Sequence, residues 1–194
     1  MSLVELIAQA DERALAVSGL ACLDRCVPLL GGDDETLRPL WASLTDTADA
    51  GDWGRGLEQA RGRLDAREAG EEAALLARRM LAAAPAERSR AEVRAWADAC
   101  SVAALQIHRL LDPAEDETPP AGALPEALRS GVAPVEGRTE GVSPLVAAEL
   151  RRQITVLEVV TGHGTAGLRR ALEVSTEGRR VLRAVVSRRI RRQG

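Results

Sequence analysis

Four side chains in this sequence have the chemistry of a metal or redox site: Cys22, Cys26, Cys100 and His108. Cys22 and Cys26 stand four apart, so a helix would put both thiols on one face. There they could hold a soft metal, with Cys100 or His108 completing the set. The surroundings favour a plainer reading. Structural zinc usually takes CxxC knuckles, and this pair falls in an apolar run, where cysteine behaves as a small hydrophobe. His108 has Asp112 one helical turn further on, the arrangement of an oriented general base, yet a histidine near a helix C-terminus is commonly structural. His163 stands alone between two glycines, with no partners for a triad or a ligand set. The sequence contains no G-x-S-x-G, HExxH, Walker or EF-hand pattern. The acidic pairs Asp33-Asp34 and Glu71-Glu72 fall at helix starts, where they complement the helix dipole, and they lack the ExxH spacing of di-iron bundles. These residues therefore lead us to expect no catalytic residue, no metal ligand and no cofactor.

A second pattern is the run Gly162-His163-Gly164-Thr165-Ala166-Gly167, a literal GxGxxG. It follows Ile154–Val160, which is rich in β-branched residues and open to a strand as well as a helix, and it precedes Arg169 and Arg170. The Val156-Leu157-Glu158-Val159 segment followed by Gly-His-Gly resembles the first motif of Rossmann-type methyltransferases. That resemblance implies a loop whose amides cradle S-adenosylmethionine or a dinucleotide. The departures are specific. Val160 stands where that motif usually has glycine, only 27 residues follow Gly167, and Glu173 and Glu177 come too early for the acidic ribose partner. The chain before the motif also lacks the strand–helix alternation of a doubly wound sheet. The expectation is a helix, a glycine turn and a second helix. A small enzyme or cofactor binder using Gly162–Gly167 ranks third among the functional readings, with a phosphate held by the amides after Gly164 and by Arg169 and Arg170 as its weaker form.

The strongest candidate lies at the C-terminal end. Val181, Leu182, Val185, Val186 and Ile190 form an apolar stripe, and Arg179, Arg180, Arg183, Arg188, Arg191 and Arg192 occupy the remainder. Guanidinium groups grip carboxylate and phosphate in bidentate fashion. Residues 145–194 carry 11 Arg against 4 acidic side chains, net +7, whereas residues 1–144 are net -10. A basic end on an acidic body points to an anionic partner, or to an end that folds back onto its own body. Binding residues expected on this basis are Arg169, Arg170, Arg179, Arg180, Arg183, Arg188, Arg191 and Arg192. The function expected is a non-enzymatic scaffold or regulatory protein that meets an acidic protein partner or a second copy of itself. A nucleic-acid-binding regulator using the same surface is the alternative, and a helix-turn-helix over 143–192 is its conceivable form. With no Phe and no Tyr there is little on which to stack unpaired bases.

The elements that must position these groups read as helices. Residues 2–30 carry apolar faces at helical spacing, with a break expected near Ser18-Gly19, and Gly31-Gly32 closes them. Asp33 or Asp34 is expected to cap a helix with Leu37, Leu40, Trp41 and Leu44. Further helices are expected over 52–66, 70–84 and 89–111. The last is opened by Ser89-x-x-Glu92, a capping-box pattern, with Val93, Trp96, Cys100, Ala103, Ile107 and Leu110 as its buried stripe. Residues 112–142 are rich in Pro, Gly and acidic side chains and read as a linker or surface loop, with one helical turn at 124–129. Ser143-Pro144 opens another helix, and 165–174 and 176–192 read as two more. The expected fold is all-α: an acidic helical bundle over 1–111, the linker over 112–142, and basic helices over 143–194, with their packing onto the bundle left open.

Composition bounds the rest. Of 194 residues 45% are apolar and 28% charged, ordinary for a globular chain. The N-terminus lacks a signal-peptide pattern, no apolar run approaches a membrane span, and three cysteines cannot all pair within one chain. A cytoplasmic protein with reduced thiols is expected. All 26 basic side chains are arginine and asparagine is absent, which points to GC-rich coding and a high-GC bacterium.

Overall fold

The structure is a computed structural model, and it describes residues 1–49, 51–64, 71–112, 124–131 and 142–193. These form an all-α fold with no strand among the described residues. Most of the segment read as a linker, 113–123 and 132–141, lies outside them.

The N-terminal run is divided into α1 (Leu3–Gln9) and α2 (Glu12–Cys26). The break comes at Ala10-Asp11 rather than at Ser18-Gly19, because Asp11 accepts a hydrogen bond from the Ala14 amide at 2.7 Å and so starts a new helix. Gly19 remains helical for a packing reason: a Cβ there would lie 2.6 Å from the Trp96 ring. α1 has a complete capping box, with the Ser2 hydroxyl on the Glu5 amide and the Glu5 carboxylate on the Ser2 amide. α2 is the axis of the molecule, and every residue from Ala14 to Cys26 is buried. Pro28 tightens the end into a single 3-10 turn, Val27–Leu30, which Gly31 closes with φ of 70°.

Three shorter helices cover one end: α3 (Arg38–Ala42), α4 (Asp52–Leu64) and α5 (Glu72–Ala82). Asp33 does not cap α3. Its carboxylate closes a turn instead, accepting from the Glu35 amide and the Thr36 hydroxyl, and α3 begins after Leu37 with no side-chain cap. The expected apolar positions Leu37, Leu40, Trp41 and Leu44 are all buried. Two tryptophans fix the corner. Trp53 and Trp96 meet edge to face, centroids 5.8 Å apart, while their ring N–H groups donate to the carbonyls of Pro85 and Met80.

α6 (Arg90–Leu110) packs along α2, with Val93, Trp96, Cys100 and Ile107 buried and Leu110 emerging at its end. The Ser89 hydroxyl accepts from the Glu92 amide, but the Glu92 carboxylate returns to that hydroxyl and not to the Ser89 backbone. After the short α7 (Leu124–Arg129) comes α8 (Pro144–Gln193), opened by the Ser143 hydroxyl on the Val146 amide.

α8 is two antiparallel arms joined at Gly164, where φ is 51° and ψ is -126°. That conformation is essentially confined to glycine. Just beyond it, Gly167 passes so close to the first arm that a Cβ would lie 2.1 Å from the Val159 carbonyl oxygen. The first arm, 144–163, is helical throughout, so 154–160 is not a strand. The second arm, 165–193, runs unbroken through Ser175, whose hydroxyl bonds back to the Ala171 carbonyl. Both arms lie on α2, and Val156, Leu157, Val160, Leu168, Ala171 and Leu182 belong to the same core as α2 and α6.

Candidate functional site

Two polar regions stand out, one sealed inside the bundle and one on its surface. The sealed one begins with Asp24 and Arg25, at the end of α2 between Leu23 and Cys26. Arg25 is fully buried and makes a bidentate pair with Glu149 on the first arm of α8, Nε to Oε2 at 2.8 Å and Nη2 to Oε1 at 2.6 Å. Gln153, one turn along from Glu149, donates to the same carboxylate at 2.9 Å and accepts from the Ser101 hydroxyl on α6. Arg129 of α7 donates to that hydroxyl and pairs with Asp98. One chain of hydrogen bonds, most of them charge-assisted, thus ties α2, α6, α7 and α8 together.

His108 abuts this network. Its Nε2 lies 3.5 Å from a Glu149 oxygen and its Nδ1 lies 2.7 Å from the Ala104 carbonyl oxygen. Burial pushes its pKa below the usual 6.5, with Glu149 opposing, so the ring is neutral near pH 7 and Nδ1 carries the proton given to Ala104. Burial pushes the Glu149 carboxyl up, but the Arg25 charge and the hydrogen bonds from Arg25 and Gln153 hold it below the ordinary value. The carboxylate beside His108 is that of Glu149 on α8. Cys22, Cys26 and Cys100 are free and buried; burial pushes Cys22 up to about 12 and the other two well above 9.0. Such thiols are poor nucleophiles, and among the described residues no cluster of three His, Cys, Asp or Glu fits a metal ion.

The expected binding arginines divide by depth. Arg179 is buried, 4% exposed, and pairs with Asp24 at 2.5 Å and with Asp34 at 3.2 Å, so it is an anchor rather than a surface group. Burial pushes the Asp24 carboxyl up, with Arg179 and Arg25 opposing. Arg183 shares Asp34 at 3.0 Å but stays half exposed. Arg169 and Arg170 are exposed near the arm's start, both against Glu173. Arg180, Arg188 and Arg191 are exposed and meet no acidic partner among the described residues. The side chain of Arg192 lies outside the described part.

Leu182 is buried and Val185 and Val186 pack against the body as their stripe implies, Val181 is half-buried, and Ile190 is 65% exposed. The stripe ends one turn early because Arg189 closes the contact instead, donating to the Leu110 carbonyl at 2.7 Å. No acidic residue follows Glu177 in the chain, and seven arginines do. Elsewhere, a cleft of about 410 Å³ between α3 and α4 is lined by Thr45, Thr47, Asp52, Arg55 and Gln59. Its Asp52 and Arg55 pair with each other.

Arg25, Glu149, Gln153, Ser101 and Arg129 are not among the residues that motif and spacing single out. Two signals were available. Asp24-Arg25 interrupts an otherwise apolar run, and Glu149 and Gln153 sit on the flank of the stripe through Val146, Leu150 and Leu157. Charges in such places imply partners. No helix of the described residues is long and apolar enough to cross a membrane. No family model, curated protein or solved structure matches this chain.

Proposed function

We propose that this protein is a non-enzymatic scaffold or regulatory protein that binds an acidic macromolecule through the exposed arginines of the second arm of α8. One observation carries the reading. Beyond Glu177 the arm has no acidic residue, and Arg180, Arg188 and Arg191 are exposed and meet no carboxylate among the described residues. Such a surface attracts and orients polyanions, and it acts through steering and charge pairing rather than through bond chemistry. By contrast His108, Glu149 and the three thiols are sealed under the bundle. Three free buried thiols fit a reducing compartment, which supports a cytoplasmic setting.

A nucleic-acid partner is the second reading. Arg169, Arg180 and Arg191 recur every 11 residues, which places them along one side of the arm, about 16 Å apart. A straight basic track suits a phosphate backbone. All three tryptophans are buried, so such contact would be with phosphates rather than stacked bases.

The test is fluorescence anisotropy of the full chain against labelled polyglutamate and labelled duplex DNA, at low and physiological salt. The proposal expects saturable polyglutamate binding that weakens with salt, and weaker binding of DNA at matched charge. Tighter duplex binding would install the second reading. Binding of neither would refute the reading of this arm as a docking surface.

A further inference from the structure

We propose that the last turns of α8 seat an acidic amphipathic helix of a partner protein, with Ile190 as the apolar anchor. The inference rests on the proposed function above and gives the acidic partner a shape. Positions 180, 183, 184, 187, 190 and 191 follow the spacing of one helix ridge. Arg180, Arg183, Ala184, Ile190 and Arg191 are exposed along it, and Ser187 is half-buried. Ala184 and Ser187 are short and leave a low waist between the guanidinium groups. A second helix packs into such a depression, ridge against groove.

Ile190 decides between partner classes. It is a branched aliphatic side chain, 65% exposed, set among arginines. Leu110, 37% exposed, is carried to the same end of the bundle by the bond from Arg189 to its carbonyl. A phosphate backbone gains nothing from an isoleucine. A lipid surface needs a wide apolar face, and here Leu182, Val185 and Val186 turn inward to the core and Val181 is half-buried. An acidic helix with an aliphatic residue between its carboxylates satisfies both features. Its carboxylates reach Arg180 and Arg191, the latter bidentately where geometry allows, and its aliphatic side chain covers Ile190. Arg183, already on Asp34, borders this seat. That is helix-in-groove recognition with charge at the rim and an apolar centre.

The probe is a labelled synthetic peptide of about 18 residues, long enough for five helical turns, with one leucine stripe flanked by glutamates. A scrambled peptide of the same composition and polyglutamate are the comparisons. Titrated with the full-length protein, the amphipathic peptide is expected to bind roughly tenfold tighter than its scramble, a difference of about 1.4 kcal/mol. Ile190→Asn, a change at a solvent-exposed site, should abolish that preference while polyglutamate affinity stays unchanged. Arg180→Gln with Arg191→Gln should weaken all three ligands. Equal affinity for the two peptides overturns the proposal, as does an Ile190→Asn protein that keeps the preference. Tighter binding to duplex DNA or to phosphatidylglycerol vesicles, or self-association of the chain that Ile190→Asn abolishes, assigns the seat to another occupant and also overturns it. If polyglutamate binds without peptide preference, only this inference falls; if polyglutamate does not bind, the broader reading falls with it.

Discussion

Replacing Glu149 by glutamine probes the buried network that holds the first arm of α8 to the body. The substitution keeps shape but removes the one anion bonded to Arg25 among the described residues, and Arg25 is fully buried. Its amide NH2 also replaces one of the two accepting oxygens, so either the bond from Arg25 Nε or those from Arg25 Nη2 and Gln153 are lost. Breaking a buried pair by removing one partner costs about 3–5 kcal/mol. The whole fold is stabilised by only about 5–15 kcal/mol, so the loss is a large share. At about 2–4 °C per kcal/mol for a chain of this size, the midpoint should fall by roughly 6–20 °C. Urea and thermal unfolding followed by tryptophan fluorescence measure it directly, since Trp53 and Trp96 report from the core. The double replacement Arg25→Met with Glu149→Leu removes both charges and should be less destabilised than Glu149→Gln alone, because the desolvation cost disappears with the pair. A Glu149→Gln protein within about 1 kcal/mol of the parent, inside the range of ordinary substitutions, would refute this reasoning. So would a double variant as unstable as the two single changes combined.

Other consequences follow from the same geometry. Gly167→Ala drives a Cβ into the Val159 carbonyl and should cost about 1–3 kcal/mol, read as a lower urea midpoint; Gly162→Ala, which meets nothing within 4 Å, should leave that midpoint nearly unchanged. The three thiols should resist iodoacetamide and DTNB in the native protein and react fully in denaturant, and rapid native labelling would contradict their burial. Because burial lowers the His108 pKa below 6.5, the unfolded chain takes up its proton first as pH falls. Stability should therefore decline below about pH 6.5 and the decline should level off beneath the folded pKa. His108→Gln should flatten that part of the profile. Asp24, whose carboxyl burial pushes up, acts in the opposite sense in both proteins, so their difference isolates the imidazole.

Helical periodicity made much of this fold readable from sequence. The stripe from Val93 to Ile107 and the Ser143-Pro144 start are local signals, and both appear in the structure. The break in the first helix was misplaced because Gly19 weakens a helix only in isolation, whereas here it admits the Trp96 ring. The GxGxxG run shows the same limit. Its glycines satisfy a hairpin, one by its dihedral angles and one by close approach, and glycine spacing does not distinguish that from a phosphate loop. Charge pattern located the basic arm but not the depth of each guanidinium. Arg179 and Arg180 are neighbours in sequence, one buried on Asp24 and the other in solvent, because a helix turns 100° per residue and only the packed body decides which side is covered.

The proposed binding surface predicts that affinity depends on where the arginines stand and not on net charge. Two variants with the same charge change separate these: Arg180, Arg188 and Arg191 to glutamine on the arm, and Arg63, Arg79 and Arg94 to glutamine on exposed positions of the acidic body. Polyglutamate titrations at fixed salt should show the first variant losing roughly tenfold or more in affinity, at least 1.4 kcal/mol, while the second stays near the parent. Equal losses in the two variants would contradict the account, since binding would then follow overall charge and the arm would hold no site.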